Sequence, residues 1–149
     1  MIEYKKLSTK EEIYERLIEF EICFPHLKEK VPSLLDFANK LNIHAEVYIA
    51  IETKKNIGIS CFYANDLINY TGYIALIGVI KEKRGLGFGK RLLDFTEFIM
   101  RKKNMKYIKL EVDADNDNAL HFYERNGFEK IAQLDNGFYM VKELNYDRM

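Results

Sequence analysis

The 149 residues carry 23 Lys plus Arg against 23 Asp plus Glu, so the formal net charge is zero and no global basic field draws the chain to nucleic acid or an anionic membrane. With 48% hydrophobic and 13% aromatic residues and no linker, repeat or low-complexity tract, the expectation is one domain over 1–149. Cys23 and Cys61 are too few and too far apart for a zinc site, no apolar run approaches about 18 residues, and the amino terminus lacks a signal-peptide core, so a metal-free cytoplasmic protein with reduced, buried thiols is expected.

In chain order, residues 2–7 read as a strand and 11–23 as a helix, opened by Thr9 with Glu12 three residues on in a capping-box arrangement. Pro25 and Pro32 bracket a loop. A second helix over 33–41 carries Leu34, Leu35, Phe37, Ala38 and Leu41 at helical spacing, and strands over 46–52 and 57–64 follow, turning at Lys54-Lys55-Asn56. Residues 72–80 hold Tyr73, Ile74, Leu76, Ile77, Val79 and Ile80, an apolar, β-branched run fit for a buried strand.

Next comes Arg84-Gly85-Leu86-Gly87-Phe88-Gly89-Lys90, and after it Leu92, Leu93, Thr96, Ile99 and Met100 recur at helical spacing. A strand, a glycine-rich turn and a helix start bring free N–H groups and the positive end of a helix dipole to one point, which favours an anion. Gly87 and Gly89 carry no Cβ, so a ligand can approach their amides, while Arg84 and Lys90 add charge. Two phosphate loops are excluded. Gly89-Lys90 is followed by Arg91, so a Walker loop would lack its magnesium-binding hydroxyl, and Lys90 stands where a dinucleotide fingerprint needs its third glycine.

Residues 107–112 alternate like a strand and lead into Asn116-x-x-Ala119-x-x-x-Tyr123-x-x-x-Gly127-Phe128. This is a short helix with Asn116 or Asp117 as N-cap, Ala119, Phe122 and Tyr123 on one face, and Gly127 as a left-handed stop. Strands over 129–134 and 138–142 around Asp135-Asn136-Gly137 complete the order β-α-α-β-β-β-α-β-α-β-β.

The Arg84, Gly87 and Gly89 loop and the segment from Asn116 to Phe128, in this order and at this separation, resemble the GCN5-related N-acetyltransferase (GNAT) superfamily. The resemblance implies an α/β (α+β) fold with a mixed sheet splayed beside the glycine loop. It implies acetyl-CoA as cosubstrate, without a metal, and an acyltransferase that passes acetyl directly to an amine. On the same resemblance, Ile77, Gly78, Val79, Arg84, Gly85, Leu86, Gly87, Phe88, Gly89, Lys90, Asn116, Ala119 and Tyr123 meet the cofactor, and the Val79 N–H faces the thioester carbonyl.

An amine near pKa 10 is mostly protonated at pH 7, so a group must take a proton before or during attack. Glu111 lies twelve residues before Tyr123, a spacing similar to that of family members that acetylate peptide amino termini, where the matching Glu is the base. It is assigned that role, through water; the alternative is a surface Glu paired with Lys109 or Lys130. Tyr123 resembles the tyrosine at the departing sulfur. A phenol near pKa 10 protonating a thiolate near 8.5 is uphill by about 2 kcal/mol, so hydrogen bonding to developing charge is the safer role. His121, about 100° round the helix, reads as surface and as a backup base.

The acceptor lining is expected from Phe24, His26, Phe37, Tyr63, Asp66, Tyr70 and Tyr139, an aromatic and weakly acidic set. It suits a small-molecule primary amine, an amino sugar among them, as the main reading. A peptide or protein α-amine acetyltransferase and a non-catalytic acyl-CoA-binding module are the alternatives. Neither nucleic acid nor membrane is expected as a partner, and a homodimer stays open.

Overall fold

The computed structural model describes residues 1–146. Seven strands form one sheet: β1 (Ile2–Lys6), β2 (Glu46–Glu52), β3 (Lys55–Tyr63), β4 (Thr71–Val79), β5 (Tyr107–Asp113), β6 (Glu129–Leu134) and β7 (Gly137–Glu143), in the spatial order β1-β2-β3-β4-β5-β7-β6. Every neighbour pair is antiparallel except β4–β5, which is parallel and joined through α4 (Phe88–Lys102).

The α1 helix (Lys10–Glu19) starts where the sequence places it, with the Thr9 hydroxyl accepting the Glu12 N–H at 3.1 Å. The expected helix over 11–23 breaks at Phe20. That ring is wholly buried, and the chain continues as a 3₁₀ turn over Glu21–Cys23 that delivers Cys23 and Phe24 onto β4. The loop between the prolines contains one helical turn, α2 (Leu27–Lys30), before Ser33 caps α3 (Leu34–His44) by accepting the Asp36 N–H at 3.2 Å. The β2–β3 turn falls at Thr53-Lys54, with φ 50° and 64°, rather than at 54–56. A two-residue hairpin loop needs positive φ at both positions. Asn56, which drew the expectation downstream, donates to Glu19 Oε1 at 3.0 Å instead.

Two layers of helix cover the sheet. On one face α4 and α5 (Asp117–Arg125) bury Leu93, Met100 and Leu120 against Ile108, Leu110 and Val112 of β5. On the other, α1 and α3 bury Ile13, Leu17 and Leu41 against Val47, Ile49 and Ile59. That second layer covers β2 and β3, whereas Glu111 and Tyr107 on the same face of β5 stay exposed. Among the described residues no helix is long and apolar enough to cross a membrane.

Candidate active site

β4 and β5 face one another over only four pairs, Thr71↔Tyr107 to Ile74↔Leu110. Beyond them a register shift opposite Cys61 and Phe62 sets Ala75 out of step, and the strands part. β4 stays on β3 as far as Val79 and β5 stays on β7 as far as Asp113, so the gap opens between their carboxyl ends. The Ile80 N–H donates to Ile57 O at 2.9 Å. Alternation along an antiparallel pair then turns the Gly78 amide toward β3 and the Ile77 and Val79 amides toward the gap. The expected splay is present, and the Val79 N–H faces into it.

A 3₁₀ turn over Lys81–Lys83 leads from β4 to Gly85 (φ 77°) and Gly87 (φ 85°), both left-handed. A Cβ at either would meet nothing within 4 Å, so backbone conformation, not crowding, requires glycine there. Gly87 caps α4 without a side chain, which leaves the N–H groups of Phe88, Gly89 and Lys90 outside the helical ladder. Open space, bare amides and the helix dipole fit a diphosphate. Of the basic residues, Lys83 pairs with Glu52 at 2.8 Å and Lys90 with Asp94 at 3.0 Å, whereas Lys81 and Arg91 make no ion pair among the described residues. Leu86 is exposed, and Lys83 and Arg91 each lie 5.7 Å from the centroid of the Phe88 ring.

The second constellation meets the first. A Cβ on Gly89 would lie 3.5 Å from the Phe122 ring, so the start of α4 abuts α5. Asn116 caps α5, its Oδ1 accepting the Ala119 N–H at 3.1 Å, and Gly127 (φ 93°) ends the helix as Phe128 N–H returns to Tyr123 O at 3.0 Å. Tyr123 packs edge-on against Phe122 and Phe128, both at 5.3 Å. Burial raises its phenol well above the ordinary 10, and no described residue hydrogen-bonds its hydroxyl. His121 is exposed, as expected.

Glu111 projects from the opposite face of β5, facing Tyr139 of β7 in the register. It makes no ion pair among the described residues: Lys109 instead lies 4.0 Å over the Tyr139 ring and Lys130 4.3 Å over Phe138. Sequence reasoning missed Tyr73, whose phenol is pushed up to about 12 by burial first and then by the charges of Glu111, Tyr139 and Tyr63. Alternation along β5 could have found Asp113 two residues beyond Glu111, whereas Tyr73 stands out only through its pairing with Tyr63 and Lys109 ahead of the bulge, which the sequence of β4 alone does not carry.

The residues expected to line the acceptor site divide. The Phe24 ring covers Gly78, where a Cβ would stand 3.0 Å from Cζ, and His26 reaches Asp115 of the β5–α5 loop at 3.6 Å. Tyr139 and Tyr63 flank Tyr73. Phe37 packs in the α1–α3 core, Asp66 caps its own loop by accepting the Ile68 and Asn69 N–H groups, and Tyr70 lies under Lys106. A groove of about 500 Å³, with Asp66 in its lining, runs from Tyr73 and Lys109 toward Thr71 and Tyr107, away from the gap.

A sheet split beside a glycine-opened helix, with a second helix closing against it, defines the acetyl-CoA-dependent N-acetyltransferase class. Residues 10–128 match the Acetyltransferase (GNAT) family, and the chain belongs to it. It is 28% identical over 145 residues to N-alpha-acetyltransferase 30 of Saccharomyces cerevisiae, covering 89% of this chain and 79% of that protein. It is 38% identical over 63 residues to N-alpha-acetyltransferase 30 of Schizosaccharomyces pombe, and that match spans only 42% of each chain. Among solved structures, the PaiA N-acetyltransferase of Thermoplasma acidophilum in complex with coenzyme A superposes with a TM-score of 0.75 at 24% identity, over 96% of this chain and 99% of that one, a likeness of fold.

Proposed function

We propose that this chain transfers acetyl from acetyl-CoA to the α-amine of a protein or peptide amino terminus. The observation that carries the reading is the 28% identity, across 89% of the chain, to a yeast N-alpha-acetyltransferase. It moves the preference from the small-molecule amine, which residue chemistry alone favours, to the amino-terminal alternative. The open groove from Tyr73 toward Tyr107 agrees, since a polypeptide acceptor needs room beyond its reacting amine.

The geometry supports a direct transfer. Glu111 and Tyr123 flank β5 from opposite faces, Glu111 with the exposed residues and Tyr123 with the α4–α5 core. An acceptor amine would enter on the Glu111 face of β5, the gap between β4 and β5 would take the acetyl group, and Tyr123 on the far face would meet the leaving sulfur. Bound acetyl-CoA supplies the activated acetyl group; the chain positions it and moves protons. The amides of residues 88–90 hold the diphosphate, and the Val79 N–H donates to the carbonyl oxygen as negative charge develops there. Glu111, exposed and unpaired, accepts the amine proton through water. The Tyr123 hydroxyl, with its raised pKa, keeps its own proton and donates a hydrogen bond to the leaving sulfur.

Coenzyme A release measured over amino-terminal peptides and amino sugars tests this. Peptides with a free α-amine should be preferred by at least about tenfold in kcat/KM, and Glu111→Gln should lower the peptide value about 100-fold, within the usual range for loss of a general base. A preference for amino sugars, or release that ignores an α-amine block, would overturn it.

A further inference from the structure

The segment from Glu21 to Lys30 bridges both lips of the split sheet. At one end Cys23 Sγ donates to the Val79 carbonyl at 3.6 Å and the Phe24 ring rests on Gly78, both at the tip of β4. At the other end Lys30 Nζ donates to Asp113 Oδ1 at 2.8 Å and His26 Nε2 lies 3.6 Å from Asp115 Oδ2, at the tip of β5 and just beyond. The β4 end is held by packing, the β5 end by charge.

We propose that Lys30 and His26 are positioning residues for the acceptor: through Asp113 and Asp115 they hold this strap across the gap and fix the wall on which the incoming amine packs. The inference rests on the acetyl-transfer reading above. The charges around the strap agree with it. His26 is raised from its ordinary pKa first by its hydrogen bond to Glu29 at 3.2 Å, with Asp113 and Asp115 adding to the shift. Burial lowers Lys30, but the hydrogen bond to Asp113 and the charges of Asp113, Glu111 and Glu29 outweigh it, so its ammonium is favoured. The His26, Asp113 and Asp115 ligand atoms lie within 4.8 Å of one another. Lys30 already supplies the cation that such a cluster needs, so the arrangement reads as a tether rather than a metal site.

Lys30→Met, which keeps an unbranched side chain without the charge, Asp113→Asn, and the exchange Lys30→Asp with Asp113→Lys test the strap. Each single change should raise the acceptor KM about two- to fivefold, the scale of a partly exposed ion pair, and leave kcat and the acetyl-CoA KM unchanged. Added salt should raise the wild-type acceptor KM toward that of Lys30→Met. The exchanged pair should recover most of the loss, and amide hydrogen exchange over residues 21–31 should quicken in the single variants only. An unchanged acceptor KM in Lys30→Met, an equal rise in the acetyl-CoA KM, or unchanged exchange over the segment would overturn the proposal. If no amine is acetylated by the wild type, the functional reading fails, and the exchange comparison still decides the tether by itself.

Discussion

Arg84 donates from Nε to the Val79 carbonyl at 3.0 Å, so the glycine loop is tied back to the end of the strand whose amide faces the split. The side chain that the sequence assigns to the cofactor therefore also sets the angle at which the loop leaves β4. Hydrogen bonds from a charged donor are worth about 1.5–3 kcal/mol. Arg84→Met should raise the acetyl-CoA KM roughly tenfold or more while changing the acceptor KM little. Initial rates with each substrate varied in turn check this, and equal loss for both substrates would show that the tie shapes the whole gap.

Gly87 and Gly89 should separate conformation from access. Gly87 has φ 85°, so Gly87→Ala forces an L-residue into the left-handed region at about 1–2 kcal/mol, although its Cβ would meet nothing within 4 Å. Gly89 lies inside the first turn of α4, and a Cβ there would make an ordinary 3.5 Å contact with Phe122. Gly87→Ala should lower the urea midpoint and coenzyme A affinity together. Gly89→Ala should leave the midpoint nearly unchanged and weaken coenzyme A binding through its methyl group alone. Denaturation and calorimetry on the two variants read the difference.

Much of this arrangement was legible in the sequence. The strand before Arg84 and the helix after it follow from apolar runs of different period, and Asn116 and Gly127 mark the ends of α5 by their chemistry. The departures sit where tertiary contacts override local pattern. Helix α1 stops at Phe20 because Cys23 and Phe24 are drawn onto Gly78, and the β2–β3 turn falls on two non-glycine residues with positive φ. Tyr73 escaped notice because what sets it apart is its cross-strand neighbours, Tyr63 of β3 and Lys109 of β5, which strand pairing and not local pattern brings beside it. The tether from Lys30 to Asp113 joins residues 83 positions apart, a relationship no periodicity encodes.

Tyr123 tests how far a phenol can assist without giving up its proton. Its raised pKa makes full donation to a thiolate near 8.5 costlier than the roughly 2 kcal/mol between ordinary values, which leaves hydrogen bonding. Tyr123→Phe should lower kcat about 100- to 1,000-fold with both KM values nearly unchanged, the size expected for one donor to developing charge. Because the phenol stays protonated well above pH 10, the pH–rate profile between 8 and 10 should have the same shape in wild type and variant. An alkaline limb present in the wild type and absent in Tyr123→Phe would mean that the tyrosine titrates in the working range as an acid.

Cys61 gives the fold an alkaline limit that is independent of catalysis. Its thiol is wholly buried, and burial pushes its pKa from 9.0 up to about 12. Between those values the unfolded chain releases a proton that the native state retains, so the unfolded state binds fewer protons and stability falls as pH rises. The contribution is intact below pH 9 and is lost on the way to 12, with a slope of about 1.4 kcal/mol per pH unit where only the unfolded thiol is ionised. Tyr73 and Tyr123, likewise raised by burial from an ordinary 10, begin to add to the fall about one pH unit higher, so the interval from about 9 to 9.5 isolates the thiol best. Urea unfolding of wild type and Cys61→Ala across that interval should show a lower absolute stability for the variant, from the cavity, and a shallower fall with pH, from the missing proton. Parallel curves would mean that the unfolded thiol does not ionise there or that the native one reaches water.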